Sequence, residues 1–247
     1  MSDFDRGLSR QGPIVSDVAV DAGLRGFMLG VYNKVALGLV LSASLAYVTG
    51  TVPAVQQLLW RTNELGQRGY TALGMIVAFA PLAILFVQNF FRQQSPRTAG
   101  IIYWAIVSLI GASLGSVFLR FQGVSIFQTF LVTAAAFGGL SLFGYATKRD
   151  LSGMRGFLIM GLIGLIVAMI ASLFFHSPAM MFAINVIGVL IFAGFTAYDT
   201  QKLKTTYYQL GGNQAAMGVA TNYGALSLYL DFINMFSFLL NLIGGRR

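Results

Sequence analysis

The chain contains no cysteine. Disulfides, thiolate nucleophiles and cysteine metal centres are therefore excluded, and the count says nothing about redox compartment. Histidine is nearly as scarce, with His176 alone among 247 residues. One histidine with no cysteine beside it cannot build a zinc site. The chain does hold a G-x-S-x-G match, Gly111-Ala-Ser-Leu-Gly115. It lies inside an apolar run, with His176 at the far end of another, so it reads as helix packing rather than as a nucleophile elbow. Charge is the third shortage: 10% of residues are charged, against roughly 25% in soluble domains. Acids are the scarcest charges, eight in all. No Gly-rich turn joins a strand to a helix, which removes phosphate-loop chemistry, and no paired catalytic groups emerge. The expected protein is not an enzyme.

Hydrocarbon fills the space that charge leaves. The chain is 56% hydrophobic, with 21 phenylalanines, 10 methionines and a mean hydropathy of +0.73. An integral membrane protein follows, and the net charge of +8 is dispersed over loops rather than gathered as a nucleic-acid surface. A 19-residue apolar window gives seven helices, near 29–51, 70–91, 99–120, 124–146, 154–175, 179–199 and 224–243, each of about 20 residues. They are too long for barrel strands and lack period-2 alternation, so the predicted fold is an all-α membrane protein, a seven-transmembrane-helix bundle. Residues 1–24 form a polar tail with no signal-peptide pattern, and 25–247 form the transmembrane domain. With the N-terminus cytoplasmic, eleven of the 16 basic residues fall inside and Arg61, Arg68, Arg120, Arg246 and Arg247 outside, the bias the positive-inside rule favours. Arg246 and Arg247 weigh against it, and a last helix that dips in and returns is the alternative. Small residues at Gly111 and Gly115, and at Gly38 and Ser42, mark close helix packing.

Two acids stand apart from the rest. Asp199 ends one apolar run and Asp231 lies within the last, and no other acid falls in any predicted span. A carboxylate in hydrocarbon is costly and marks a functional site by default. Helical spacing places each on a polar stripe: Asn185, Gly188, Phe192, Thr196 and Asp199 on the sixth span, Ser227, Asp231, Asn234, Phe238 and Asn241 on the seventh. Such stripes face protein or water rather than lipid, so the two helices are expected to face each other across an inside loop, 200–223. Two carboxylates close together in a poorly solvated place titrate as a unit, and can share a proton, pair with an arginine such as Arg92, or bind a hard cation. Calcium takes six to eight oxygens. The two acids with Tyr198, Tyr229, carbonyls and water offer only a weak site, which suits permeation or sensing better than storage, with no tightly bound cofactor.

Gly194-Phe-Thr-Ala-Tyr-Asp-Thr-Gln-Lys202, Leu228-Tyr-Leu-Asp-Phe-Ile-Asn234 and Leu140-Ser-Leu-Phe-Gly-Tyr-Ala-Thr-Lys-Arg-Asp-Leu151 resemble the bacterial branch of the Bax inhibitor-1 (transmembrane Bax inhibitor motif) family. The resemblance covers roughly 25–243. It implies a seven-helix fold with the last helix central, in a bacterial inner membrane. It also implies a pH-sensitive calcium leak controlled by a pair of aspartates, here Asp199 and Asp231, with Arg92 as the nearest match to the arginine that pairs with them. Some relatives carry an acid in the second span; this chain has Gln88 and Asn89 there, so a second cation site is not expected. Thr196, Tyr198, Ser227, Tyr229 and Asn234 are the remaining pore or seam candidates. The alternative is a regulator that acts by binding other membrane proteins, a quality-control protease among them, with no ion conduction. The chain has no evident inverted repeat, against a transporter, and no lysine in its last span, against a retinal pump.

Overall fold

The computed structural model describes residues 12–62, 68–88, 95–175 and 177–245, with side chains described from residue 22 onward and at all of these except Arg68. Arg92, Asn89, His176, Arg246 and Arg247 lie outside the described residues. In chain order the elements are α1 (Gly12–Thr51), α2 (Pro53–Leu59), β1 (Trp60–Thr62), β2 (Arg68–Tyr70), α3 (Ala72–Gln88), α4 (Pro96–Ser113), α5 (Gly115–Arg120), α6 (Gly123–Ala146), α7 (Met154–Ala171), α8 (Pro178–Gln209) and α9 (Gln214–Ile243). This is an all-α membrane protein apart from one short antiparallel hairpin, in which Trp60 pairs with Tyr70. Apolar windows are blind to so short a hairpin.

Six stretches are long and apolar enough to cross a membrane among the described residues: 22–51, 96–120, α6, α7, α8 and α9. The predicted count was seven. The crossing expected near 70–91 is α3, an apolar helix of 17 residues, about 26 Å long at 1.5 Å per residue and so just short of a core of roughly 30 Å. Helix α1 begins at Gly12, inside the segment read from sequence as a tail.

The expected loop 200–223 is not a loop. Helix α8 runs on to Gln209 and α9 starts at Gln214, so the two form a hairpin closed by a turn at 210–213. Gly211 and Gly212 take φ of +53° and +83°, values that only a residue without Cβ adopts freely. The Asn213 side chain then accepts a hydrogen bond from the Ala216 amide at 3.1 Å, capping α9. Residues 200–209 are polar enough to leave an apolar window, which is why hydropathy ended the helix early. The last helix is continuous over 30 residues, so the dip-and-return alternative finds no break.

Helix α9 packs against α1, α4, α6 and α8. Half of its apolar window is buried, more than in any other crossing. Close approach is built by small residues where the sequence placed them: a Cβ on Gly111 would stand 2.6 Å from Ser42 Cα, and Gly38 lies against the Tyr103 hydroxyl. Ser42 also donates to the Val107 carbonyl at 3.0 Å, and Thr49 to that of Ala112 at 2.9 Å. By contrast α7 packs chiefly on α8 and leaves most of its surface, Phe157 and Met160 among it, to lipid.

Candidate functional site

The α8–α9 pair sets the register of the site. Gly188 lies against the Phe238 ring, and Leu203 against Gly224. Phe192 stacks on Phe238 with centroids 6.0 Å apart. These contacts bring position 199 opposite positions 227–231, so the two polar stripes do face each other. The Ser227 hydroxyl stands within reach of the Asp199 carboxylate, and the Asp199 and Asp231 carboxyls are near enough for their charges to interact. Lys202, one turn on, also acts on Asp199 through its charge. The two acids differ in surroundings. Asp199 is half-buried, whereas Asp231 is 5% exposed and its Oδ2 has no hydrogen-bond partner among the described residues.

The other seam candidates separate. Thr196 is buried, but its hydroxyl donates to the Phe192 carbonyl of its own helix at 2.8 Å. Asn234 likewise donates to the Leu230 carbonyl at 2.8 Å. Tyr198 is half-buried beside Asp199. Tyr229 does not belong to the acidic pair. It lies two residues from Asp231, which on a helix is nearly the opposite face, and its hydroxyl is 2.6 Å from Ser42 Oγ on α1. Among the described residues no group of three or more His, Cys, Asp or Glu gathers as a metal cluster, so any cation held here would rest on two carboxylates.

A second polar arrangement, next to the first, was not anticipated as a working unit. Gln201 accepts from the Leu151 amide and donates to the Arg149 carbonyl, each at 2.7 Å. Lys204 donates to the Tyr145 carbonyl at 3.3 Å and sits 5.5 Å from the centre of the Tyr145 ring. That lysine meets a helix C-terminus, where carbonyls are unpaired and a cation is favoured. Thr200 donates to Ser141 at 3.4 Å, and Gly144 lets α6 close on the Ala197 carbonyl. Asp150 in turn accepts from the Ser152 amide and hydroxyl, both at 2.8 Å, at the start of α7. The stretches 140–151 and 194–204 thus form one clamp beside Asp199. The signal for it was their shared wealth of polar residues just past two span ends.

Comparison with known proteins bears on all three stretches. Residues 24–247 match the family described as Inhibitor of apoptosis-promoting Bax1. The chain belongs to the Bax inhibitor-1 family. Relatives span almost the full length of the chain. A protein of Caulobacter vibrioides is 62% identical over all of both chains. One of Rickettsia prowazekii is 40% identical over 92% of each. The inner membrane protein YbhL of Escherichia coli is 39% identical over 92% of this chain and 94% of its own. The family match begins at residue 24, two residues inside the first apolar crossing, and takes in both aspartates and the clamp.

Proposed function

We propose that this protein is a pH-sensitive leak pathway for calcium in a bacterial inner membrane, with Asp199 and Asp231 as its paired proton and cation sensor. The observation that carries this reading is the Asp231 carboxyl, buried in the α8–α9 interface, with one oxygen unpartnered among the described residues and within reach of the Asp199 charge. Two acids so placed hold a proton between them more readily than two full charges. Losing that proton leaves a doubly charged pair that attracts a hard oxygen-seeking cation or an arginine. The site supports passage rather than storage, because two carboxylates fall short of the six to eight oxygens that calcium takes. The inner-membrane location follows the name of the relative YbhL.

In this reading α3 is the seventh crossing. The direction of the chain alternates from helix to helix, and α4 runs parallel to α1, since Tyr103 meets Lys34 and Thr49 meets Ala112. An odd crossing between them restores that direction. The α8–α9 turn, Arg25, Lys148, Arg149 and Lys204 then share the cytoplasmic side, and Arg92, four residues past α3 in the sequence, is the arginine assigned to the pair. No catalytic role is assigned.

Calcium flux into liposomes, measured against pH, tests the reading. Asp199→Asn and Asp231→Asn should each flatten the pH dependence, and the double variant should add little, because the coupling is lost with either partner. Wild-type profiles in both single variants would remove the pair from gating. Absence of flux in the wild type would leave the regulatory role among membrane proteins as the better account.

A further inference from the structure

Helices α1 and α6 stand apart near their turn-side ends, leaving a groove of about 480 Å³. Its walls are Met28 and Leu29 on α1 and Phe137 and Leu142 on α6. Leu29 and Leu142 are exposed, so the groove opens onto the lipid-facing surface. Gly138 lies on the α6 wall with no atom within 4 Å of where a Cβ would be, which leaves the space free. The two ends of the groove differ in character. Arg25 and Tyr145 line the end nearest the α8–α9 turn, with Lys204 beside the Tyr145 ring. Lys148 and Arg149 follow Tyr145 within four residues, and among the described residues no acid lines the groove.

An apolar trough that faces hydrocarbon, closed at one end by cations and a tyrosine at interface depth, is complementary to one molecule of the bilayer. We propose that this groove binds an anionic phospholipid, its acyl chain against Met28, Phe137 and Gly138 and its phosphate at Arg25. A tyrosine at headgroup level and basic side chains just outside the apolar zone are the features that favour such lipids. The site also touches the clamp. Ser141, which lines the groove, accepts the Thr200 hydrogen bond, and Thr200 follows Asp199. Occupancy therefore bears on the α6–α8 contact beside the acidic pair, and the proposal does not depend on conduction.

Native mass spectrometry of the full-length protein in detergent micelles provides the test, with dioleoyl phosphatidylglycerol, dioleoyl phosphatidylcholine and inorganic phosphate as probes. The expected result is retention of phosphatidylglycerol over phosphatidylcholine by about fivefold, the worth of one basic residue near a headgroup. Arg25→Gln, at an exposed position, should erase that preference. Gly138→Leu should lower retention of both lipids while circular dichroism stays that of the wild type. Equal retention of the two lipids, an undiminished preference in Arg25→Gln, or unchanged retention in a folded Gly138→Leu would each overturn the assignment. So would displacement of phosphatidylglycerol by inorganic phosphate, which would make this a free-anion site.

Discussion

Three helices are joined by a short relay whose hydrogens can be assigned. The Ser42 hydroxyl donates to the Val107 carbonyl at 3.0 Å. Its hydrogen is therefore spent, so at the 2.6 Å contact with Tyr229 the tyrosine must be the donor. Tyr229 and Ser42 are 0% and 2% exposed. The two truncations should then differ in cost. Tyr229→Phe removes one hydrogen bond and strands nothing, since Ser42 keeps Val107. An interhelical hydrogen bond in a membrane protein is worth about 0.6 kcal/mol. Ser42→Ala instead leaves the tyrosine O–H buried without an acceptor, at about 2 kcal/mol. In the double variant the stranded hydroxyl is gone, so the cost should fall back to about 1 kcal/mol, a departure from additivity of about 1.5 kcal/mol. Unfolding in mixed micelles, followed by circular dichroism at increasing SDS fraction, measures all three. A Tyr229→Phe cost equal to or above that of Ser42→Ala would refute the donor assignment. The same variant tests the corrected placement of Tyr229: its calcium flux should keep the wild-type pH profile.

Other expectations are simpler. A cysteine introduced at Gly212, in the α8–α9 turn, should resist labelling from outside intact cells, and efficient labelling would reverse the orientation. Arg92→Ala should shift the pH midpoint of flux, and an unchanged midpoint would reduce Arg92 to an interface anchor. Asp150, outside the crossings, is held below the usual carboxylate range by the Ser152 amide and hydroxyl. Its folded-state pKa is thus depressed, so its contribution to the start of α7 is present above the unfolded carboxylate range and is lost as pH falls through the folded value. Hydrogen exchange at the Ser152 amide, corrected for intrinsic rate, should rise only in acid, and Asp150→Ala should show the raised rate at all pH values.

Legibility followed the strength of the physical signal. Apolar runs of membrane length specify helices because lipid leaves the backbone no partners but its own, and so α6 and α7, and the far end of α9, lie close to their expected places. Small residues at 38, 42, 111 and 115 announced close helix packing without naming the partners; 38, 42 and 111 lie in the α1–α4 contact and 115 in that of α1 with α5. Asp199 and Asp231 were visible through their cost in an apolar segment. What hydropathy could not read was helix beyond the apolar runs: residues 200–209 are mostly polar, 214–223 are small residues mixed with Gln214, Thr221 and Asn222, and only the glycines at 211 and 212 marked the turn between them. Tyr229 was misplaced because nearness in sequence to Asp231 was given more weight than the 100° that each helical residue turns. Gln201 and Lys204 escaped because their partners are backbone carbonyls and an amide some 50 positions away, which no local pattern encodes.

The surroundings of the two acids bear on why they are there. Asp199 has Ser227 and the Lys202 cation within reach, whereas the Asp231 carboxyl meets the like charge of Asp199 and its Oδ2 has no hydrogen-bond partner among the described residues. Burying a carboxylate without donors costs free energy, and apolar or neutral replacements of such buried charges are often neutral or stabilising. The α8–α9 interface already has what holds it: the Phe192–Phe238 stack, the Gly188 and Gly224 approaches, and the Asn213 cap. The clamp through Gln201 and Lys204 ties α8 to α6 without using either carboxylate. Among the described residues, then, no contact that holds the α8–α9 pair requires Asp231 to be an acid. Under the proposed reading, a buried acid kept beside its own like charge is there to respond to protons and cations rather than to hold helices together.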